Sequence, residues 1–239
     1  LVFIQRDRLA APERSNRRFT VPQIEMQHVT KYFTNEQRRF TAIDDVSLTI
    51  ERGEFVFLIG SSGAGKTTLL RLLANQIVAD EGKIWIDDVE LTRLRGWRRP
   101  VYRRNIGQVW QDASLIRKKT VRQNLELVQR ALGVKSKVIP ENTRKALSIV
   151  GMRAMEDRYP FELSGGQVKM VELARAIICN PPILIVDEIT ANLDYDTGWD
   201  IMNILNEINR CGTTVIMATH AKDFVNIMCR RVVTLVAGK

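Results

Sequence analysis

The stretch FVFLIGSSGAGKTT, residues 55–68, decides the fold of this chain. Its first five residues form an uninterrupted apolar run, which indicates a buried strand. Residues 60–68 match the pattern G-x-x-x-x-G-K-[ST], and the apolar residues 69–73 indicate a helix directly after them. A strand, a glycine loop and a helix in this order predict that the helix N-terminus holds a phosphate group.

The residue types of this glycine loop suit a bound nucleoside triphosphate. Glycines let the backbone amides turn inward around a β-phosphate, where larger side chains would block the approach. The Lys66 ammonium is expected to reach the β- and γ-phosphates, and the Thr67 hydroxyl to bind Mg²⁺. The loop residues expected to contact ATP are Gly60, Ser61, Ser62, Gly63, Ala64, Gly65, Lys66, Thr67 and Thr68.

Two carboxylates, Asp187 and Glu188, follow the apolar run at residues 183–186. We expect Asp187 to hold the Mg²⁺ ion and Glu188 to act as the general base that polarises the attacking water. Two acids at a strand end are also common as the N-cap of a helix. The phosphate loop in the same chain favours the catalytic interpretation.

Further apolar runs at residues 215–218 and 232–236 are separated from the others by helical stretches, such as residues 201–208. Strands that alternate with helices predict an α/β fold with a mostly parallel sheet that is covered on both faces. Between residues 112 and 163 helical stripes replace the strand signals. We therefore expect a helical insertion within the α/β core.

The composition is that of a soluble globular protein, with 45% hydrophobic and 26% charged residues. The 239 residues suffice for one α/β domain, and no apolar run reaches the roughly 20 residues of a spanning helix. The cysteines lack CxxC spacing, so the sequence predicts neither a zinc site nor a disulfide framework, which fits a reducing, cytoplasmic compartment. They are Cys179, Cys211 and Cys229.

Basic residues outnumber acidic ones by 36 to 27, which gives a net charge of +9. Such a charge suits nucleic acid, anionic lipid or polyphosphate as a partner, and it does not choose among them. Residues 93–104 contain six arginines and no acid. Residues 1–22 are also rich in arginine, and we expect them to form a flexible basic extension before a domain at residues 23–239.

Four further motifs follow one another along the chain. Gln111 ends a strand-like run, LSGGQ occupies residues 163–167, ANLD occupies residues 191–194, and His220 ends the run MATH. Together with the glycine loop and the two carboxylates, these motifs resemble the ATP-binding cassette (ABC) ATPases over residues 24–239. A lone LSGGQ or a lone histidine would be weak, but the ordered set is specific.

The resemblance implies a P-loop NTPase fold of the RecA-like type. A mostly parallel sheet forms the core, and an N-terminal antiparallel β subdomain and an inserted α-helical subdomain, at about residues 113–175, are added to it. The resemblance also implies a homodimer, because in the family the signature of one copy caps the γ-phosphate of the ATP held by the other. The signature residues expected to do so are Ser164, Gly165, Gly166 and Gln167.

Single residues also receive roles from the resemblance. Gln111 corresponds to the family's Q-loop glutamine, His220 to its switch histidine, and Asp194 to the D-loop aspartate beside the nucleotide. The aromatic expected to stack on adenine is Phe33, with Tyr32 as the alternative. The expected catalytic set is Lys66, Gln111, Glu188 and His220, and the expected Mg²⁺ ligands are Thr67, Gln111 and Asp187.

Within the family, several stretches outside the catalytic motifs resemble the FtsE group of cell-division ATPases, which pair with the membrane protein FtsX. They include residues 82–86, 92–95, 102–107 and 209–220. The resemblance implies an integral membrane partner like FtsX, peripheral attachment to the cytoplasmic face of the inner membrane, and a role in cell division through regulation of peptidoglycan hydrolases. Lipoprotein-release and macrolide-exporter ATPases share much of the pattern and remain alternatives.

Three positions depart from the family pattern. Ile189 stands where proline is usual, Met170 replaces an arginine, and Glu172 replaces a small residue. Slow hydrolysis, or a clamp that binds ATP without needing turnover, therefore stays open. A nucleic-acid-associated ATPase is less favoured, because the chain has neither the long coiled coil of the repair type nor the tandem domains of the translation type.

Overall fold

The computed structural model describes residues 23–34, 38–112 and 115–239. The extension at residues 1–22, which the sequence predicts to be flexible, lies outside the described residues. The strands of the described part are β1 (Ile24–Thr34), β2 (Arg39–Ile50), β3 (Phe55–Ile59), β4 (Glu81–Ile86), β5 (Val89–Glu90), β6 (Ile106–Val109), β7 (Ile183–Asp187), β8 (Thr214–Ala218) and β9 (Arg231–Thr234). Its α-helices are α1 (Lys66–Leu73), α2 (Arg99–Arg103), α3 (Val121–Ala131), α4 (Ile139–Ile149), α5 (Gly165–Ile177), α6 (Tyr195–Arg210) and α7 (Lys222–Met228).

The central sheet is parallel and has the strand order β6-β7-β8-β3-β9. Strands β3, β7 and β8 are buried on both faces, which is why their sequences are continuous apolar runs rather than alternating ones. Leu58 and Asp187 both pair with Ala218, so the carboxyl ends of these three strands lie at one edge. Ligands of such sheets bind at this edge, and the loops that carry the candidate residues meet there.

An antiparallel sheet with the order β2-β1-β4-β5 lies beside the phosphate loop. The Asp44 N–H donates to the Gly238 carbonyl at 2.8 Å, and a Cβ on Gly65 would lie only 2.5 Å from the Ala42 carbonyl oxygen. Buried residues of this sheet, such as Ile24, share one apolar core with α1 and with one face of the central sheet. The antiparallel sheet therefore supports the loop from the side.

Helices α3, α4 and α5 occupy the part of the chain where the sequence predicts a helical insertion. Their apolar stripes, which include Leu125, Leu147 and Val171, pack in a second core on the other face of the central sheet. Helix α3 begins with a capping box, in which Thr120 and Gln123 exchange side-chain to backbone hydrogen bonds at 3.1 and 3.2 Å. The α/β class, the parallel core, the antiparallel sheet and the inserted helices are thus confirmed.

Strand β6 is shorter than the sequence predicts. It ends at Val109, so Gln111 does not end the strand but lies two residues beyond it, in a bend. The carbonyl oxygens of Trp110 and Gln111 accept hydrogen bonds from the Lys169 side chain instead of from a neighbouring strand. A side chain from a distant helix therefore replaces the ladder at this point.

Candidate functional site

The phosphate loop joins β3 to α1 and requires glycine at both ends. Gly65, the N-cap of α1, has a φ of 102°, a left-handed conformation that glycine adopts without strain. A Cβ on Gly60 would collide with the Leu235 carbonyl oxygen. Residues 61–63 are exposed at the tip of the loop. The loop therefore presents its backbone to a ligand, with the N-terminus of α1 behind it.

The Lys66 side chain is buried and makes three polar contacts. Its Nζ donates to the carbonyl oxygens of Gly60 and Ser61 at 3.0 and 3.2 Å, and it lies 3.0 Å from His220 Nε2. Two of the three ammonium donors are thus used by the loop's own carbonyls. These contacts hold the positive charge inside the curve of the loop, where a phosphate would bind.

Asp187 and Thr67 form the part of the site that fits Mg²⁺. The Thr67 hydroxyl donates to Asp187 Oδ2 at 2.8 Å, while Asp187 Oδ1 is buried without a hydrogen-bond partner among the described residues. Burial raises the pKa of the Asp187 carboxyl, and the Thr67 hydrogen bond and the Lys66 charge oppose that rise. Because the described residues contain no cluster of three or more His, Cys, Asp or Glu ligands, an ion here would need phosphate and water oxygens as further ligands.

Glu188 lies just beyond β7 and faces His220. The Glu188 backbone has a φ of 51°, an uncommon conformation for a residue with a side chain, and its N–H donates to the Ala218 carbonyl at 3.0 Å. Its Oε1 lies 3.2 Å from His220 Nε2, and its side chain is 12% exposed against 51% for the histidine. The same Nε2 contacts Lys66, so His220 lies between the acid and the loop lysine.

One open cavity of about 800 Å³ brings several of the predicted residues together. Its volume is within the range of ligand sites for molecules as large as a nucleotide. It combines the phosphate loop, the Q-loop, the D-loop and the switch histidine. It is lined by Ser62, Gln111, Glu188, Thr190, Ala191, Asn192, Thr219, His220 and Ala221.

The LSGGQ signature, residues 163–167, lies on the surface outside this cavity. Ser164 is the N-cap of α5; its hydroxyl accepts from the Gln167 N–H at 3.3 Å, and Gln167 Oε1 accepts from the Ser164 N–H at 3.0 Å. A Cβ on Gly166 would lie 2.7 Å from Thr197, whose N–H donates to Asp194 at 2.9 Å. Signature and D-loop thus lie next to each other. Within the described chain, none of the signature residues lines the cavity of Glu188.

The two aromatic candidates for adenine both lie at the end of the β1–β2 hairpin where the chain passes from β1 to β2. Phe33 pairs with Phe40 and stacks on its ring, with centroids 5.8 Å apart. The ring of Tyr32 is covered by the Arg39 guanidinium at 3.5 Å, and its hydroxyl donates to Glu81 at 3.0 Å. The Phe33 ring also has the Lys31 ammonium 5.5 Å from its centroid, a longer approach than that of Arg39 to Tyr32.

The sequence did not indicate a role for Lys169. Its Nζ, buried on α5, donates to the carbonyls of Trp110 and Gln111 at 3.1 and 2.6 Å and to Glu172 at 3.1 Å. The only signal was the unusual acid at position 172. The other two departures from the family pattern, Met170 and Ile189, are buried apolar residues of the helical core.

A glycine loop that opens a helix, a lysine inside it, and a buried aspartate bonded to the loop threonine define a phosphate-loop nucleoside triphosphatase. The model of the family described as ABC transporter matches residues 43–191. The chain belongs to the ABC transporter family. It is an ATP-binding and ATP-hydrolysing subunit of that family.

Relatives include the cell division ATP-binding protein FtsE of Mycobacterium tuberculosis and of Streptococcus pneumoniae, 41% and 38% identical over 90% of this chain and 93% of theirs. The methionine import ATP-binding protein MetN 4 of Oceanobacillus iheyensis is 37% identical over 90% of this chain and 63% of its own. The dimeric post-hydrolysis structure of the ATP-binding cassette MJ0796, bound to ADP and Pi, superposes with a TM-score of 0.83, 30% identity and coverage of 90% and 95%. The expected resemblance to FtsE is confirmed.

Proposed function

We propose that two copies of this chain close around two ATP molecules, hydrolyse them, and pass the resulting movement to an integral membrane protein. The observation that carries the proposal is the separation of the two halves of the site. Ser62 and Glu188 share one cavity, whereas Ser164 lies exposed outside it. The signature of a second copy would supply the missing donors, and the dimeric state of the MJ0796 cassette supports this arrangement.

Within one copy, the side chains around the cavity supply the proton chemistry. Lys66 exchanges its bonds to its own loop carbonyls for phosphate oxygens. Glu188 accepts a proton from the attacking water as a general base. His220, 3.2 Å from Glu188 and exposed toward the cavity, orients the water and the γ-phosphate relative to that base.

Mg²⁺ would be held by Asp187 and Thr67, since one buried oxygen of Asp187 lacks a partner among the described residues. When bound, the ion neutralises charge on the phosphates. Gln111 lies at the border of the same cavity and would complete the ligand set. Phe33 would stack on adenine, because the cation nearest its ring lies 5.5 Å from the centroid, whereas the Arg39 guanidinium covers the Tyr32 ring at 3.5 Å.

The Glu188→Gln variant distinguishes an enzyme that hydrolyses ATP from a clamp that binds ATP without needing turnover. We expect its turnover to fall by about 10²–10⁴-fold, while Mg-ATP converts it to a stable dimer in sedimentation velocity. Glu141→Gln is the matched control, because Glu141 is an exposed glutamate of α4 that forms an ion pair with Lys145, outside the cavity of Glu188. Equal turnover in wild type and Glu188→Gln would contradict the proposed general base and favour a clamp.

We further propose that the membrane partner resembles FtsX and that the chain acts in cell division through peptidoglycan hydrolases, at the cytoplasmic face of the inner membrane. Two FtsE relatives at 38–41% identity support this role, and the MetN relative keeps an importer open as the second candidate. None of the helices in the described ranges could span a bilayer. Co-purification with an FtsX-like protein, and not with a methionine permease, is the expected result.

Peripheral attachment would use the basic segment, residues 91–104. Trp97 is 66% exposed and carries the Arg98 guanidinium 4.9 Å from its ring, and Arg95 and Arg104 are exposed nearby in sequence. Aromatic rings among arginines suit the head-group region of an anionic membrane.

Charge reversal of the exposed arginines tests this attachment. The variant Arg95→Glu/Arg98→Glu/Arg104→Glu should no longer sediment with phosphatidylglycerol vesicles and should still bind ATP. Unchanged sedimentation would count against the attachment. Salt-sensitive binding of duplex DNA by the wild type, lost in the variant, would favour a nucleic-acid partner instead.

A further inference from the structure

Helix α5 carries a buried ion pair that reaches out of the helix to the Q-loop. Lys169 and Glu172 are 9% and 1% exposed, and their charged atoms lie 3.1 Å apart. The other donors of the Lys169 ammonium bond the carbonyl oxygens of Trp110 and Gln111, at 3.1 and 2.6 Å. We call these four residues the Q-loop clip.

The chemistry of the clip explains why both charges are required. An ammonium has three donors and no acceptor, and here all three are used, as burial demands. Glu172, three residues along on the same face of the helix, supplies the compensating charge. Arg175, another three residues on, also interacts electrostatically with Glu172. Burial lowers the pKa of Arg175, and the Glu172 charge opposes that change.

The position of the clip links two parts of the proposed site. Lys169 lies just over one turn after Ser164 in α5, and the signature serine is expected to contact the nucleotide of the other copy. Gln111 lines the cavity of its own copy. We propose that Lys169 is a positioning residue that makes Gln111 and Ser164 move as one body, so that the two ATP sites of a dimer respond to each other.

Glu172 is the member of the clip at which this chain departs from the family pattern. A small residue is usual where Glu172 stands, and an arginine is usual where Met170 stands, now packed in the apolar core. A lysine buried at position 169 without Glu172 would leave an uncompensated charge. Lys169 and Glu172 therefore depend on each other. The inference rests on the roles proposed above for Gln111 and Ser164.

The decisive variant is Lys169→Met/Glu172→Met, which removes both charges and keeps the volume. Replacing a buried ion pair by apolar side chains is often neutral for stability, so we expect a melting temperature close to that of wild type. We expect kcat to fall about 10–100-fold, the order of effect of misplaced catalytic groups, with KM for ATP within about threefold of wild type. Glu172→Gln alone would leave the buried Lys169 charge uncompensated, so we expect it to melt at a lower temperature than the doubly substituted variant.

Trp110 gives a second readout of the clip. In a variant with the other tryptophans, Trp85, Trp97 and Trp199, replaced by phenylalanine, Mg-ATP should change the Trp110 fluorescence when the clip is present. Removing the clip should abolish that change even though ATP still binds.

Two results would overturn the inference. One is wild-type turnover in the doubly substituted variant. The other is a fall in kcat together with a lower melting temperature and weaker ATP binding, which would indicate general loss of structure. Failure of the dimer proposal itself would be visible separately, because Glu188→Gln with an intact clip would then remain monomeric in Mg-ATP.

Discussion

The two surfaces that are expected to meet around ATP differ in how much chemistry each contains. The phosphate-loop surface combines a buried aspartate, a lysine with three contacts and a glutamate–histidine pair. The signature surface offers the exposed start of α5, where the Ser164 hydroxyl accepts one backbone N–H. The first surface has groups that can bind and react, and the second offers hydrogen-bond donors at a helix N-terminus, which agrees with the proposal that one copy is half of a working site.

Substitution of Asp187, which lies on the phosphate-loop surface, should give the largest change in turnover. Asp187→Asn should lower turnover by more than about 10²-fold, because a bound metal ion supplies several kcal/mol of charge stabilisation. The same variant should melt about 2–4 °C higher without nucleotide, the shift that roughly 1 kcal/mol gives in a domain of this size.

The sign of that stability change follows from the pKa. Burial raises the pKa of Asp187 in the folded protein, so its ionised form weakens the fold of the wild type. That penalty is absent at a pH below the pKa of the unfolded chain and grows as pH rises through the folded pKa. Thermal melts of wild type and Asp187→Asn should therefore converge toward acid pH, and parallel curves would contradict this account.

Two matched capping boxes allow the signature surface to be tested separately. Ser164→Ala and Thr120→Ala each remove the N-cap hydroxyl of a helix, so each should cost about 1 kcal/mol of stability. Only Ser164→Ala should also lower turnover, by about 10–100-fold, because its hydroxyl would bond a charged phosphate. Equal turnover of the two variants would show that Ser164 has only a capping role.

The smallest expected effect is on the binding of adenine, measured as KM for ATP. Phe33→Ala should raise KM for ATP about fivefold or more, since stacking of a base on an aromatic ring contributes roughly 1–3 kcal/mol, and kcat should not change. Tyr32→Phe keeps the ring beneath Arg39 and loses only the hydroxyl bond to Glu81, so its KM should equal that of wild type. A larger effect at Tyr32 than at Phe33 would reverse the assignment.

The sequence predicted the phosphate-loop surface well because its signals are local. The buried strands, the glycine loop and the two acids at the end of β7 are each contiguous, and the parallel order of the strands brings their ends to one edge. The helical insertion was predicted from apolar stripes at helical spacing, whereas the antiparallel sheet was expected only from the resemblance, and both are found.

The Q-loop clip could not be predicted in this way. Lys169 contacts a turn 58 and 59 residues away along the chain, and no spacing rule connects such positions. The sequence also predicted a strand β6 that was too long at its carboxyl end. The strand stops at Val109 because the carbonyls of Trp110 and Gln111 accept hydrogen bonds from Lys169. Glu172 was noticed only as an unusual residue, since its partner on the same helix face becomes evident only when both side chains are seen to be buried.

The most direct test of the shared site uses two defective copies in the Glu188→Gln background. One copy carries Lys66→Ala and the other Ser164→Arg, so a mixed dimer contains one intact pairing of phosphate loop and signature. Sedimentation velocity with Mg-ATP should show monomers for each variant alone and dimers for the mixture. Dimers of either variant alone would contradict a site shared between two copies. So would a mixture that stays monomeric while the Glu188→Gln parent protein dimerises.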